Sequence, residues 1–159
     1  MCIAPVEHRT FAAQPTAVRR AVLRPAEVDD WLSVALGEIA ESLRRRRIVP
    51  KGFPFSRRHR APGGLVVVEA GFPLGLPVVT DGATQASELP AGPAAAVTAN
   101  KVPDKKISSP YDLIDDWLRR RDARPAGDAW EIYHSPPIER TDGWRTEIVQ
   151  PYRPAFDEN

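Results

Sequence analysis

The spacing of apolar residues changes character several times along the chain, and each change marks an element. Residues 6–11 and 16–23 read as extended, with Pro15 breaking between them and Pro25 stopping the second, because proline fixes φ and removes a backbone donor. From Val28 the period turns helical: Val28, Trp31, Leu32, Leu36, Ile39 and Leu43 recur at spacings of three and four. Glu27, Asp29 and Asp30 occupy the first turn and Arg44 to Arg47 the last, the charge order that suits the helix dipole. After Pro50 and Gly52 a strand is predicted over 55–60, a turn at Pro62-Gly63-Gly64, and a β-branched strand over 65–69 ending near Pro73; together they read as a hairpin. Residues 78–93 are small and turn-rich, a crossover between two halves, and a strand follows over 94–99. A second helix is predicted over 108–121, with Ile107, Tyr111, Ile114, Trp117 and Leu118 as its apolar stripe and Arg119 to Arg121 at its end. A second hairpin closes the pattern: a strand over 130–134, a turn over 136–143, and a strand over 144–149 stopped by Pro151.

Set in register, the halves repeat at an offset of 75, rising to 78 after a small insertion. Pro50, Gly52 and Phe55 fall on Pro125, Gly127 and Trp130, Leu43 falls on Leu118, and Glu69 with Pro73 falls on Glu147 with Pro151. Each half reads strand, helix, strand, strand. The expectation is one α+β domain over 1–159, an internal repeat of about 1–77 and 78–155, and two modules packed about a pseudo-twofold with a cleft between them.

Composition adds bounds. At 159 residues with 42% apolar and 27% charged residues, the chain suits a single globular domain that needs neither disulfide nor metal. The lone Cys2 cannot form an internal bridge, no Cys/His cluster has zinc spacing, and neither a metal nor a cofactor is expected. No apolar run reaches the ~18 residues of a membrane span, and Glu7, His8 and Arg9 stand where a signal peptide needs apolar residues. A cytoplasmic protein is expected. With 22 basic and 21 acidic residues the net charge is +1, which removes the broad attraction on which most nucleic-acid binders depend.

Candidate chemistry concentrates at 130–133. A strand's period of two puts Trp130 and Ile132 on one face and Glu131 with Tyr133 on the other. If that second face lines a cleft, a carboxylate and a π surface together suit an organic cation; the alternative is a surface Glu on an ordinary hairpin. Glu147, with Glu69 as its repeat partner, interrupts a strand that otherwise looks buried. Without a partner it would have a raised pKa and could serve as a general acid; beside Arg145 it would be an ion pair. His59 and His134 occupy equivalent places and, like His8, read as strand-end polar residues. The arginines at 44–47 and at 57, 58 and 60 are explained by helix dipole and solvation, and no nucleophile context or phosphate-binding glycine loop is present.

In order along the chain, Pro50-Lys51-Gly52-Phe53-Pro54-Phe55, Val68-Glu69-Ala70-Gly71-Phe72-Pro73, Leu89-Pro90-Ala91-Gly92, Trp130-Glu131-Ile132-Tyr133 and Trp144-Arg145-Thr146-Glu147 with Pro151 resemble the GyrI-like small-molecule-binding domains, the effector-binding domains of MerR-type and AraC-type multidrug regulators. The resemblance implies two strand-helix-strand-strand modules with an aromatic-lined cleft and a glutamate that meets cationic or planar drugs. It carries Glu131 and Tyr133 onto the family's Trp-Glu-x-Tyr element, and Trp144 and Glu147 onto its Trp-x-Thr-Glu element. Where the family has His-x-Gly-Pro-Tyr, this chain has Asn100-Lys101-Val102-Pro103-Asp104, which removes an imidazole and an aromatic from the region that shapes the cleft.

The expected ligand-binding set is therefore Glu131, Tyr133, Tyr111, Trp144, Trp130, Glu147 and Phe55. A strand-like start near Met1 leaves no room for a helix-turn-helix, so a stand-alone effector domain is expected, one that senses or sequesters a lipophilic cationic or planar molecule without touching DNA directly. The resemblance also implies two alternatives. One is a hydrolase of cyclopropane-bearing genotoxins with Glu131 or Glu147 as general base; the other is a gyrase-inhibitor-like module with a protein partner, and a homodimer is a further expectation.

Overall fold

A computed structural model describes residues 5–100, 109–134 and 145–154. In chain order the elements are β1 (Glu7–Phe11), β2 (Gln14–Leu23), α1 (Val28–Arg45), β3 (Phe55–Ala61), β4 (Leu65–Pro73), β5 (Gln85–Leu89), β6 (Gly92–Asn100), α2 (Pro110–Arg120), β7 (Ala123–Pro125), β8 (Trp130–Tyr133) and β9 (Arg145–Pro154). The fold is α+β. Its elements divide between two compact units, one of residues 13–90 and one of residues 1–12 with 91–159.

In the unit of residues 13–90 the strands run β3-β4-β2-β5, all antiparallel. The helix α1 turns Val28, Leu32, Leu36, Ile39 and Leu43 inward, the predicted stripe apart from the half-buried Trp31, adds Ala35, which the stripe did not include, and packs on β2 and β4. Arg19 of β2 reaches Glu38 of α1 in an ion pair. In the other unit the order is β1-β6-β9-β8, again antiparallel, with the short β7 added along β9. Its core joins Ala95, Val97 and Ile148 of the sheet to Ile114 and Leu118 of α2.

The repeat is visible in the hydrogen-bond register. Thr16 opposes Pro73 as Ala94 opposes Pro151, and Phe55 opposes Gly71 as Trp130 opposes Val149. The longer offset therefore relates β2 to β6 and β4 to β9, and the shorter one relates β3 to β8. Both helices end on a non-glycine residue in the left-handed region, Arg47 (φ 57) and Asp122 (φ 50). After each, the chain returns to the same place: the Lys51 N–H donates to the Pro73 carbonyl at 2.8 Å and the Ala126 N–H to the Pro151 carbonyl at 2.9 Å.

Several boundaries differ from the sequence expectation. Pro15 does not break the chain but lies inside β2, and Pro151 lies inside β9, which runs on to Pro154. Each proline lacks only a donor; its carbonyl still accepts, from the Leu74 N–H in one case and the Ala126 N–H in the other. The expected crossover contains β5, which pairs along β2 from Gln14↔Leu89 to Val18↔Gln85. β5 reads Gln-Ala-Ser-Glu-Leu, with no alternation to betray it, and is fixed by the edge of β2. The strand β1 joins β6 rather than the half that follows it in sequence. The turn over 136–143, with Trp144 and Ile107, lies outside the described residues. Among the described residues no helix is long and apolar enough to cross a membrane, and no group of three or more His, Cys, Asp or Glu could hold a metal ion.

Candidate functional site

Residues directly opposed in an antiparallel sheet share a face. Val97 opposes Ile148, and Ile148 opposes Glu131, so Glu131 lies on the face that α2 covers; Tyr133, two positions on, lies there too. Both are half-buried. The Tyr111 hydroxyl donates to Oε1 of Glu131, and the Tyr133 hydroxyl donates to Oε2 at 3.1 Å. Tyr111 comes from the first turn of α2 and is 41% exposed. That turn is set locally: Ser109 caps the helix by accepting the Tyr111 N–H at 3.2 Å, and Pro110 is pre-shaped for the first helical position. The result is a carboxylate, formally negative, flanked by two phenols whose hydroxyls face it and whose rings offer π surface. Such a group can attract a cation by charge and by ring quadrupole together.

The reverse face of the same sheet is organised differently. Trp130, 3% exposed, meets the ring of Phe11 edge to face at 6.1 Å. Glu147, 6% exposed, is ion-paired to Arg9 through Oε1 and hydrogen-bonded to His134 Nε2 through Oε2 at 3.0 Å. Its repeat partner Glu69, also buried, is held by Arg20 Nε at 2.6 Å and Arg57 Nη2 at 2.8 Å. Arg20 and Arg57 stand directly across the ladder from Glu69, whereas Thr98 and Ile132 stand across from Glu147. The partners of Glu147 come instead from β1 and from just beyond β8. Buried carboxylates paired on both oxygens hold strands in register, since removing either partner would strand a charge in the interior.

Of the residues singled out by sequence, Glu131, Tyr133 and Tyr111 are brought together. Trp130 and Glu147 lie on the opposite face, Phe55 is buried in the other unit at 1% exposure, and Trp144 lies outside the described residues. The trio belongs to one unit only: by the repeat, Glu131, Tyr133 and Tyr111 correspond to Ser56, Arg58 and Leu36. Sequence reading missed the part played by β1. His8 Nδ1 meets the Tyr152 hydroxyl at 2.6 Å on the helix-covered face, while Arg9 reaches Glu147 on the other. Tyr152 in turn packs edge to face on Trp117, over which Arg121 stacks at 3.8 Å. These partners are more than 130 residues apart, 144 for His8 with Tyr152 and 138 for Arg9 with Glu147, so no local spacing could reveal them.

The sequence matches no protein-family profile and no curated protein. Solved structures do match. The C-terminal domain of EcmrR superposes with a TM-score of 0.73 at 16% identity, covering 97% of this chain and 99% of that one. In a complex of EcmrR with DNA the TM-score is 0.74 at 14% identity, and the chain spans 57% of that longer protein. SAV2435 bound to tetraphenylphosphonium matches with a TM-score of 0.62 at 9% identity over 94% of each chain. A hydrolase from Listeria innocua matches with a TM-score of 0.66, also at 9% identity, over 94% of this chain and 92% of that one. At such identities the likeness is one of fold.

Proposed function

Starting from a chain with the fold of the GyrI-like effector-binding domains, we propose that it binds a lipophilic small molecule, cationic or planar, with Glu131 as the charge partner and the rings of Tyr111 and Tyr133 as its walls. The observation that carries this reading is the single carboxylate held between two phenols on the half-buried, helix-covered face. The fold likeness to a tetraphenylphosphonium-bound protein supports it. Each cation–π contact contributes about 0.5–2 kcal/mol, so two rings and a charge suffice for micromolar binding only if apolar burial adds to them.

Titration with tetraphenylphosphonium and with a neutral planar ligand, followed by tryptophan emission and by calorimetric heat, tests the proposal. Glu131→Gln removes the charge at nearly constant shape and turns one of the two acceptor oxygens into an NH2 donor. It should weaken the cation by roughly tenfold, equivalent to about 1.4 kcal/mol, and leave the neutral ligand almost unchanged. No heat and no emission change across both ligands in the unaltered protein would overturn it.

A hydrolase reading, with Glu131 or Glu147 as general base, draws support from the fold of the Listeria innocua protein. A general base needs an oxygen within hydrogen-bond reach of the attacking water. In both glutamates each oxygen already has a hydrogen-bond partner, so an attacking water would have to share it.

A further inference from the structure

We infer that Tyr111, aided by Tyr133, acts as a donor filter: by supplying hydroxyl hydrogen bonds to both oxygens of Glu131, the pair favours cations that carry no N–H group over protonated amines of the same shape. The inference rests on Glu131 being the charge partner and goes beyond it by specifying which cations the carboxylate accepts.

A protonated amine leaving water gives up strong hydrogen bonds and must find acceptors in the site. At Glu131 two of the carboxylate's roughly four acceptor directions are claimed by phenols, so an amine finds fewer acceptors there than at a bare carboxylate, and each donor left unmet is costly. A quaternary ammonium or phosphonium has no donor to satisfy. Its diffuse charge needs only the field of the carboxylate and the faces of the rings, both of which survive when the oxygens are already bonded. A bare carboxylate offers the amine its full set of acceptors; a phenol-capped one offers about half and shifts the preference toward the quaternary ion.

The two phenols are not equivalent. Tyr133 is fixed by the ladder of β8 with β9, where it opposes Thr146. Tyr111 stands on the first turn of α2, partly exposed, and its bond to Glu131 links that helix to β8. It is the partner whose hydroxyl can be removed with least disturbance to the sheet, and so the one that sets specificity. The corresponding positions Leu36, Ser56 and Arg58 in the other unit provide no such pair of phenols.

The test compares two ligands that share a ring and differ at nitrogen, phenethyl-trimethylammonium and protonated phenethylamine, by calorimetry on the full chain. The unaltered protein should prefer the quaternary ligand by about tenfold or more. Tyr111→Phe keeps the ring and frees an acceptor on Glu131; it should cut that preference several-fold, chiefly by tightening the amine, and Tyr133→Phe should shift it in the same direction. A variant that merely loosened the fold would weaken both ligands alike, leaving the ratio unmoved. An unchanged ratio in both variants, with binding retained, overturns the filter and leaves Glu131 as charge partner. If neither ligand nor tetraphenylphosphonium binds the unaltered protein, the binding reading itself fails and the filter with it.

Discussion

Gly71 shows how little slack individual positions have. It sits between Val18 and Phe55 in the ladder, and a Cβ there would come within 2.5 Å of the Ala17 carbonyl oxygen, 2.7 Å of Val18 Cγ1 and 3.1 Å of Phe55 Cζ. The first of these is backbone and cannot step aside. Gly71→Ala should therefore destabilise by about 1–3 kcal/mol, read as a lowered urea midpoint with an unchanged slope. At the corresponding position the other unit carries Val149 opposite Trp130, so the same place in the repeat is solved there by a different ring and a different neighbour. Residue-level chemistry was legible in part. The strand period alone joined Glu131 to Tyr133 and separated them from Trp130, as the register bears out. That Tyr111 would face the same carboxylate depended on how α2 is turned over the sheet, which no stripe of apolar residues specifies to within a side chain.

At the scale of elements, α2 shows how a cap reaches the Tyr111–Glu131 contact. It is an 11-residue helix with only Ile114 and Leu118 buried, so its first turn depends on local bonds more than on packing. Ser109→Ala removes the acceptor for the Tyr111 N–H and should cost about 1 kcal/mol, seen as reduced helical circular dichroism and a lower melting temperature. Since the same turn positions the Tyr111 ring and hydroxyl at Glu131, the substitution should, on the binding proposed above, weaken tetraphenylphosphonium without removing any group that touches it. The helices were readable because their periodicity, acidic starts and basic ends agree with one another. β5 was not, because an edge strand of mixed polarity carries no signature of its own, and the two prolines misled because a missing donor weakens a ladder without ending it.

At the scale of the whole molecule, the repeat β2-α1-β3-β4 and β6-α2-β8-β9 is contiguous, but β1 is not part of it; the first strand of the chain serves the last segment. It is fastened on both faces, by His8 to Tyr152 and by Arg9 to Glu147. Deleting residues 5–11 should speed amide hydrogen exchange in β6 and β9 and lower their protection, while the ladder of β2 with β4 keeps its own; equal loss in both would refute the assignment of β1 to the second unit alone. The tandem pattern was legible because each module repeats its punctuation, whereas the destination of β1 was not, since nothing in a five-residue strand names a partner so distant. This arrangement has a consequence during biosynthesis. Glu147 leaves the ribosome 138 residues after Arg9, and at roughly 5–20 residues per second the arginine waits on the order of ten seconds for its counter-ion. Through that interval β1 has its ladder partner β6 to lie against, and its ion pair closes only when β9 follows.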